Sequence, residues 1–388
     1  MKVQKKTRIH GAKVLTADGG LTDTDVCISG GLIESVGGSS NQGSSCFHYD
    51  ATGLLLLPGI IDVHGDGFEH LLMPRSGVRF PTSVALAEVD KQLVANGITT
   101  AYHGVTYSWE PGLRGREAVV DLMQTLDAIS ESLSCDTRLH LRYEMYNLDG
   151  ESDALAWLQT GKIGLLSFNE HIDMILRRLD QSEKLSQYTE RSGLNADAYR
   201  ALVEKVASRA DEVPASVARI SKAARGLGVP LASHDDETPE MRRHYRSLGS
   251  TICEFPCNAE TAREARASEE AIVLGAPNVL RGGSHDGRLD AESAIFEDLC
   301  NVLASDYYYP AGVHAAFHLI ERGMDISRAW SLLSNGPAEA VGLSDRGSIA
   351  PGKRADLVLI EPSTVSGPVV KATMVHGGWA YSRSIGNL

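Results

Sequence analysis

Hydrophobic and polar positions follow two different rhythms along this chain. Residues 7–53 alternate apolar and polar side chains between turn signals such as Asp18-Gly19-Gly20 and Ser29-Gly30-Gly31. Side chains alternate faces along a strand, so this rhythm predicts a small antiparallel sheet with one buried face. Residues 345–385 repeat the rhythm through the run from Gly347 to Asp356 and then Leu357-Val358-Leu359-Ile360. The simplest assembly pairs both ends of the chain, 1–54 and 346–388, into one composite β-sandwich.

The middle, residues 55–345, alternates short apolar runs with longer helical patterns, the signature of repeated βα units. Strands are expected at 56–63, 97–105, 138–145, 163–169, 229–234, 250–255, 278–283 and 302–305. Eight such strands close a (β/α)8 barrel of the TIM type, an α/β fold. The polar, charged stretch 172–198 is longer than an ordinary connection and predicts a helical insertion or a lid over the barrel mouth.

Composition adds limits. With 388 residues, 43% hydrophobic and 22% charged, the chain has the make-up of an ordinary globular protein. No apolar run approaches the roughly 18–20 residues of a membrane helix. The basic N-terminus (Lys2, Lys5, Lys6, Arg8) leads into polar residues and does not read as a signal peptide. Six scattered cysteines do not form a disulfide pattern; Cys253 and Cys257 are too far apart for a C-x-x-C pair. A reducing, cytoplasmic setting is therefore expected. A net charge of −13 disfavours nucleic-acid binding. A small anionic substrate remains compatible, given a local cluster of arginines and backbone N–H groups. No membrane partner is expected, and a homodimer is the default expectation for assembly.

Chemistry gathers at the ends of the apolar runs. His64 and Asp66 close the first, two apart and so on one side of the strand. Glu144 ends the run His140-Leu141-Arg142-Tyr143-Glu144, and His171 follows Leu165 to Glu170. His234 ends Val229 to Ser233, and Asp306 ends Leu303-Ala304-Ser305. Histidine nitrogen and carboxylate oxygen suit zinc and similar divalent ions. Six such donors exceed what one tetrahedral ion needs and fit two ions sharing a bridge, with Glu144 as the expected bridging carboxylate. Two Zn2+ ions are the first expectation, Mn2+ or Fe2+ the alternatives. Lys162 precedes its strand and belongs at the opposite end of the barrel. His103 is expected to support the site. His70, His285, His314 and His318 have no strong claim as ligands; the last two lack the glutamate of an H-E-x-x-H motif.

Taken together, Pro58-Gly59-Ile60-Ile61-Asp62-Val63-His64-Gly65-Asp66, the β-rich ends and the run Gly347 to Val358 resemble the amidohydrolase superfamily. Pro74 to Pro81, Ala95 to Ala101, Ala232 to Asp236, Gly275 to His285 and Ala304 to Tyr307 resemble its PhnM-like, phosphonate-metabolism branch more specifically. The resemblance runs from about residue 7 to residue 380. It implies hydrolysis of α-D-ribose 1-methylphosphonate 5-triphosphate to the 5-phosphate and diphosphate. In that reaction, water activated between two metal ions attacks the α-phosphorus, and Asp306 orients it and takes its proton. The leaving diphosphate needs cations and N–H donors. Arg75, Arg79 and the loop Arg281-Gly282-Gly283-Ser284-His285 are the candidates.

Three positions depart from the pattern of that branch. Phe68-Glu69-His70 stands where Leu-Glu-Lys is expected, Ile172-Asp173-Met174 where Thr-Pro-Gly is expected, and Asp286 puts a negative charge in the phosphate loop. Two alternatives follow: a hydrolase of an amide or cyclic C–N bond on the same scaffold, and a metal-binding barrel without catalysis.

Overall fold

The computed structural model of the protein describes residues 6–38, 46–75, 77–283 and 288–383. Its centre is an eight-stranded sheet in which every registered neighbour pair is parallel. In chain order the strands are β1 (Ile60–Gly65), β2 (Ile98–Tyr107), β3 (Asp136–Glu144), β4 (Leu165–Asn169), β5 (Leu231–His234), β6 (Ile252–Glu254), β7 (Ala271–Gly275) and β8 (Val302–Ala304). Spatial order follows chain order, and the last strand returns to the first. Two backbone bonds close the ring: Asp306 N–H donates to the His64 carbonyl and Asp66 N–H to the Asp306 carbonyl, both at 2.9 Å. Beside them, the buried Asp62 carboxylate accepts from the Ser305 N–H at 3.0 Å and the Ser305 hydroxyl at 2.5 Å. The expected (β/α)8 barrel is thus present.

Two further sheets come from the chain ends. A four-stranded sheet runs in the order 32–36, 26–29, 6–10, 46–50, and a six-stranded sheet in the order 378–382, 369–375, 357–361, 55–58, 13–15, 21–23. Ile9, Val26, Ile28 and Ile33 of the first sheet share a core with Val14, Leu56, Leu357, Leu359 and Met374 of the second. That shared core is the interior of a β-sandwich. Leu55, Leu57, Val358 and Ile360, alternate neighbours on the same strands, pack instead into the barrel core. The six-stranded sheet is therefore buried on both faces where it meets the barrel, which makes Leu54–Leu57 an unbroken apolar run.

Two expected strands are corrected. The run 56–63 is two strands in two different sheets, Leu55–Pro58 and Ile60–Gly65, with Gly59 between them. A Cβ on Gly59 would lie 2.4–2.9 Å from the Thr99 side chain, so only glycine lets the chain cross there. The seventh strand is Ala271–Gly275, whereas residues 278–283 fall largely in the helix Ala276–Arg281. Pro277 suits the first turn of that helix, where its missing N–H is no loss, and Gly282 ends it with a left-handed φ of 74°.

The stretch after β4 holds three helices, α1 (Ile172–Arg178), α2 (Ser182–Ser192) and α3 (Ala196–Ala207). They form a small apolar core of their own around Ile175, Tyr188, Tyr199 and Val203. One buried carboxylate ties them down. Glu110, in the loop after β2, accepts from Arg191 of α2 at 2.6 and 2.7 Å and from the Tyr199 hydroxyl of α3 at 2.5 Å. At the opposite end of the barrel, Arg346 reaches Thr100 at 2.8 Å and Asp136 at 2.6 Å. No helix among the described residues is long and apolar enough to cross a membrane.

Two outcomes test these contacts. Gly59→Ala overpacks the crossing against Thr99 and is expected to destabilise the fold by about 1–3 kcal/mol; an unchanged urea midpoint would show that Thr99 yields. Glu110→Ala leaves Arg191 and Tyr199 without their shared acceptor. Limited proteolysis should then cut within 172–207 faster than in the parent chain, while the barrel stays intact.

Candidate metal centre

All six donors expected from the sequence lie at the C-terminal ends of barrel strands. His64 lies at the end of β1 and Asp66 just after it, Glu144 ends β3, His171 follows β4, His234 ends β5 and Asp306 follows β8. Backbone strain marks the same rim. Asp235, Phe255 and Asp306, each immediately after or near a strand end, have φ of 61°, 54° and 56°, a left-handed conformation uncommon outside glycine.

The organising group is one that sequence reasoning missed. Glu254, the last residue of β6, is completely buried and holds two imidazoles. Its Oε1 lies 2.8 Å from His64 Nδ1 and its Oε2 2.8 Å from His234 Nδ1. A carboxylate accepts, so each Nδ1 carries the proton and each Nε2 keeps a lone pair. The rings stack with centroids 5.5 Å apart and planes 17° apart. Burial, then the charge of Arg142, pushes His64 down to about 3 and His234 well below its usual value. Both are therefore neutral imidazoles, the form that binds a cation. The signal was available: Glu254 is the penultimate residue of the expected strand 250–255, one place from the end that His234 occupies in 229–234.

The donors fall into two groups. His64, Asp66 and Asp306 each offer an atom within 4.8 Å of the others. Glycines stand against two of them. A Cβ on Gly104 would come 3.5 Å from His64 Nε2, and one on Gly275 would come 3.3 Å from Asp306 Oδ2. Burial, then the Asp66 carboxylate, pushes Asp306 up to about 7. Two carboxylates crowded beside a neutral imidazole make a donor set that fits a divalent cation. The second group is Glu144 and His171, whose Oε1 and Nδ1 are 2.5 Å apart. The Glu144 charge raises His171 above its ordinary pKa. His234 stands beside this pair, its ring centroid 6.4 Å from that of His171.

Between the groups lies Arg142, two residues before Glu144 on β3 and almost wholly buried. It donates to Asp66 Oδ2 at 3.0 Å and to His234 Nε2 at 3.2 Å. His140, on the same side of β3, places Nδ1 3.0 Å from the Val63 carbonyl and is held down to about 3 by burial. His103 is also buried, and burial lowers it to about 4.

The expected anion-binding residues are more dispersed. Arg75 and Arg79 are exposed. Arg79 lines a cavity of about 730 Å³ with Trp109, Glu110, Lys205 and Arg209, beneath the insertion. A smaller cavity of about 80 Å³, sharing Trp109 and Glu110, touches Glu144, His171, Arg114 and Arg191. Arg281 is exposed and donates to the Tyr307 hydroxyl at 3.3 Å. Gly282 and Gly283 follow it with left-handed φ of 74° and 123°. Ser284 and His285 lie outside the described residues. Glu69, in the altered Phe68-Glu69-His70 motif, pairs with Arg114 at 3.0 Å.

Glu254→Gln supplies one acceptor and one donor where two acceptors are needed, so one imidazole loses its orientation. Zn2+ affinity, measured by calorimetry on chelator-stripped protein, should fall roughly 10- to 100-fold. Unchanged affinity would show that the two histidines do not depend on Glu254.

Comparison with known proteins adds a family to this geometry. A model described as the Amidohydrolase family matches residues 193–380. The α-D-ribose 1-methylphosphonate 5-triphosphate diphosphatase of Escherichia coli (strain K12) is 32% identical over 321 residues, covering 80% of this chain and 84% of that one. A dihydroorotase of Ruminiclostridium cellulolyticum is 24% identical, over 92% of this chain and 89% of its own. Among solved structures, N-acetylglucosamine-6-phosphate deacetylase from Pasteurella multocida shares the fold with a TM-score of 0.64 at 12% identity, covering 96% of this chain and 99% of that one. The chain belongs to the amidohydrolase superfamily, within its PhnM-like branch.

Proposed function

We propose that this hydrolase cleaves α-D-ribose 1-methylphosphonate 5-triphosphate, or a close ribose triphosphate, to the 5-phosphate and diphosphate, in a cytoplasmic route of phosphonate breakdown. The observation that carries the reading is the similarity to the E. coli diphosphatase across most of both chains. The six donors from His64 to Asp306 are the proposed metal ligands, with zinc first by their nitrogen–oxygen mix and two ions as the upper limit. A bound divalent ion lowers the pKa of water and polarises a phosphoryl oxygen.

The chain's own groups account for the rest. Water attacks the α-phosphorus, the bond from that phosphorus to the oxygen bridging to the β-phosphorus breaks, and diphosphate leaves. Asp306, pushed up to about 7, accepts the proton of the attacking water; a base with a pKa near the working pH is well matched to that task. Glu254 keeps His64 and His234 in the tautomer that turns Nε2 away from the carboxylate. Arg75, Arg79, Arg281 and the backbone N–H groups of Gly282 and Gly283, with Ser284 and His285, are proposed to take up the charge of the diphosphate.

A second reading is hydrolysis of an amide or cyclic C–N bond. It is favoured by the dihydroorotase and adenine deaminase relatives and by the exposed His70 where a lysine is expected. Diphosphate release from ribose triphosphates, assayed beside a panel of N-acyl amino acids and cyclic amides, separates the two. The first reading expects diphosphate with a triphosphate substrate, loss of activity on chelation and recovery with Zn2+. Asp306→Asn should lower turnover roughly 100- to 10,000-fold. Amide cleavage with no diphosphate from any triphosphate would overturn it.

A further inference from the structure

His234 has two ring nitrogens, and the protein engages both. Nδ1 donates to Glu254 at 2.8 Å, and Nε2 lies 3.2 Å from an Arg142 amino group. Arginine carries no acceptor, so the Nε2 lone pair receives that bond. It is the same lone pair that a metal ion would need. The other arm of Arg142 takes Asp66 Oδ2 at 3.0 Å. His64 differs. Its Nδ1 is held by the same carboxylate, but among the described residues its Nε2 has no hydrogen-bond partner. The Asp306 carboxylate also has none among the described residues, and both belong to the close group with Asp66. The planar fork of arginine suits this bridge, because two donors in fixed geometry span a carboxylate and an imidazole.

We propose that Arg142 makes the two halves of the centre unequal by acting as a built-in cation between them. One divalent ion binds firmly at His64, Asp66 and Asp306. A second ion, using His234 with Glu144 and His171, must first displace a buried guanidinium from His234 and then sit beside its charge. The inference rests on the reading of this mouth as a metal centre, but not on the identity of the substrate. Nothing on this rim besides Arg142 places a permanent positive charge in direct contact with both donor groups, among the described residues. Gly104 provides its space: a Cβ there would lie 3.3 Å from Arg142 Cδ.

The test titrates Zn2+ into the chelator-stripped full chain by calorimetry and counts bound metal by elemental analysis. The wild-type chain should hold one ion tightly and a second roughly 10- to 100-fold more weakly, the worth of one charge-assisted hydrogen bond. Arg142→Met should strengthen the second ion by a similar factor without weakening the first. Arg142→Lys, which keeps the charge and loses the fork, should fall between them and remains informative if the methionine variant does not fold. Manganese loading gives a second readout, because a spin-coupled pair signal should grow in Arg142→Met relative to wild type. Two ions of equal affinity in the wild type, or an unchanged gap in both variants, would overturn the proposal. Absence of any tightly bound ion would overturn it together with the metal-centre reading. The expected metal pattern without diphosphate release would sink only the proposed substrate.

Discussion

Two imidazoles from different strands share the two oxygens of one buried glutamate, and the chemistry of the mouth depends on that arrangement. Without Glu254, His64 and His234 would each be free to rotate or change tautomer, and their Nε2 atoms would have no common direction. The carboxylate also pays a second role in electrostatics. It puts negative charge behind two neutral rings, making them better electron donors toward whatever cation stands in front. Burial of all three groups keeps water from competing for these bonds. The geometry is fixed by β1, β5 and β6, which are rigid barrel strands rather than loops, and a site on rigid elements holds its distances.

Barrel closure is coupled to the same site. The last strand meets the first through Asp306 and Asp66 backbone bonds, and both residues also offer carboxylates to the mouth. Ring closure and placement of these two carboxylates are therefore one event. Asp62, whose side chain holds Ser305 from behind and also accepts from the His64 N–H at 3.4 Å, ties the position of Asp306 to that of His64. On the far side, the six-stranded sheet packs against the barrel with Leu55 and Leu57 while Leu56 faces the sandwich core. The first barrel strand thus starts from a fixed platform, and the glycine at 59 carries the chain from one sheet to the other.

Much of this was legible in the residues. Alternation marks strands such as 6–10 and 32–36 because one face of each meets solvent. Strands ending in His or Asp were easy to find, since a polar group at the end of an apolar run stands out. The failures have physical causes. Leu54–Leu57 is buried on both faces, so its periodicity vanishes and it merges with the next strand. The run Ala271–Gly275 is short, and the apolar residues just after it, which read as a strand, form a helix that Pro277 helps to start. Arginine is not a metal ligand, so Arg142 carries no ligand signal of its own. The strand-end position of Glu254 is legible in the sequence, but its hold on His64 and His234, like the bridge from Arg142 to Asp66 and His234, joins distant strands and leaves no spacing signal.

The distribution of arginines bears on how charge on a substrate could be met at this mouth. An activated water serves either electrophile, so the donor set alone is indifferent to the choice. A departing diphosphate carries several negative charges and needs cations that are not already spent. Arg114 and Arg191, nearest to Glu144 and His171, are spent: Glu69 holds one and Glu110 the other. Arg142 is spent on Asp66 and His234. Arg75, Arg79 and Lys205 make no ion pair among the described residues, and two of them, Arg79 and Lys205, face the same cavity under the insertion. An anionic tail extending from the donor groups past Trp109 toward that cavity would meet Arg79 and Lys205, and also the Glu117 carboxylate on the same lining. These cations suit a substrate that carries negative charge beyond the bond being cleaved, a phosphate tail or a carboxylate, and would add nothing to the binding of a neutral amide.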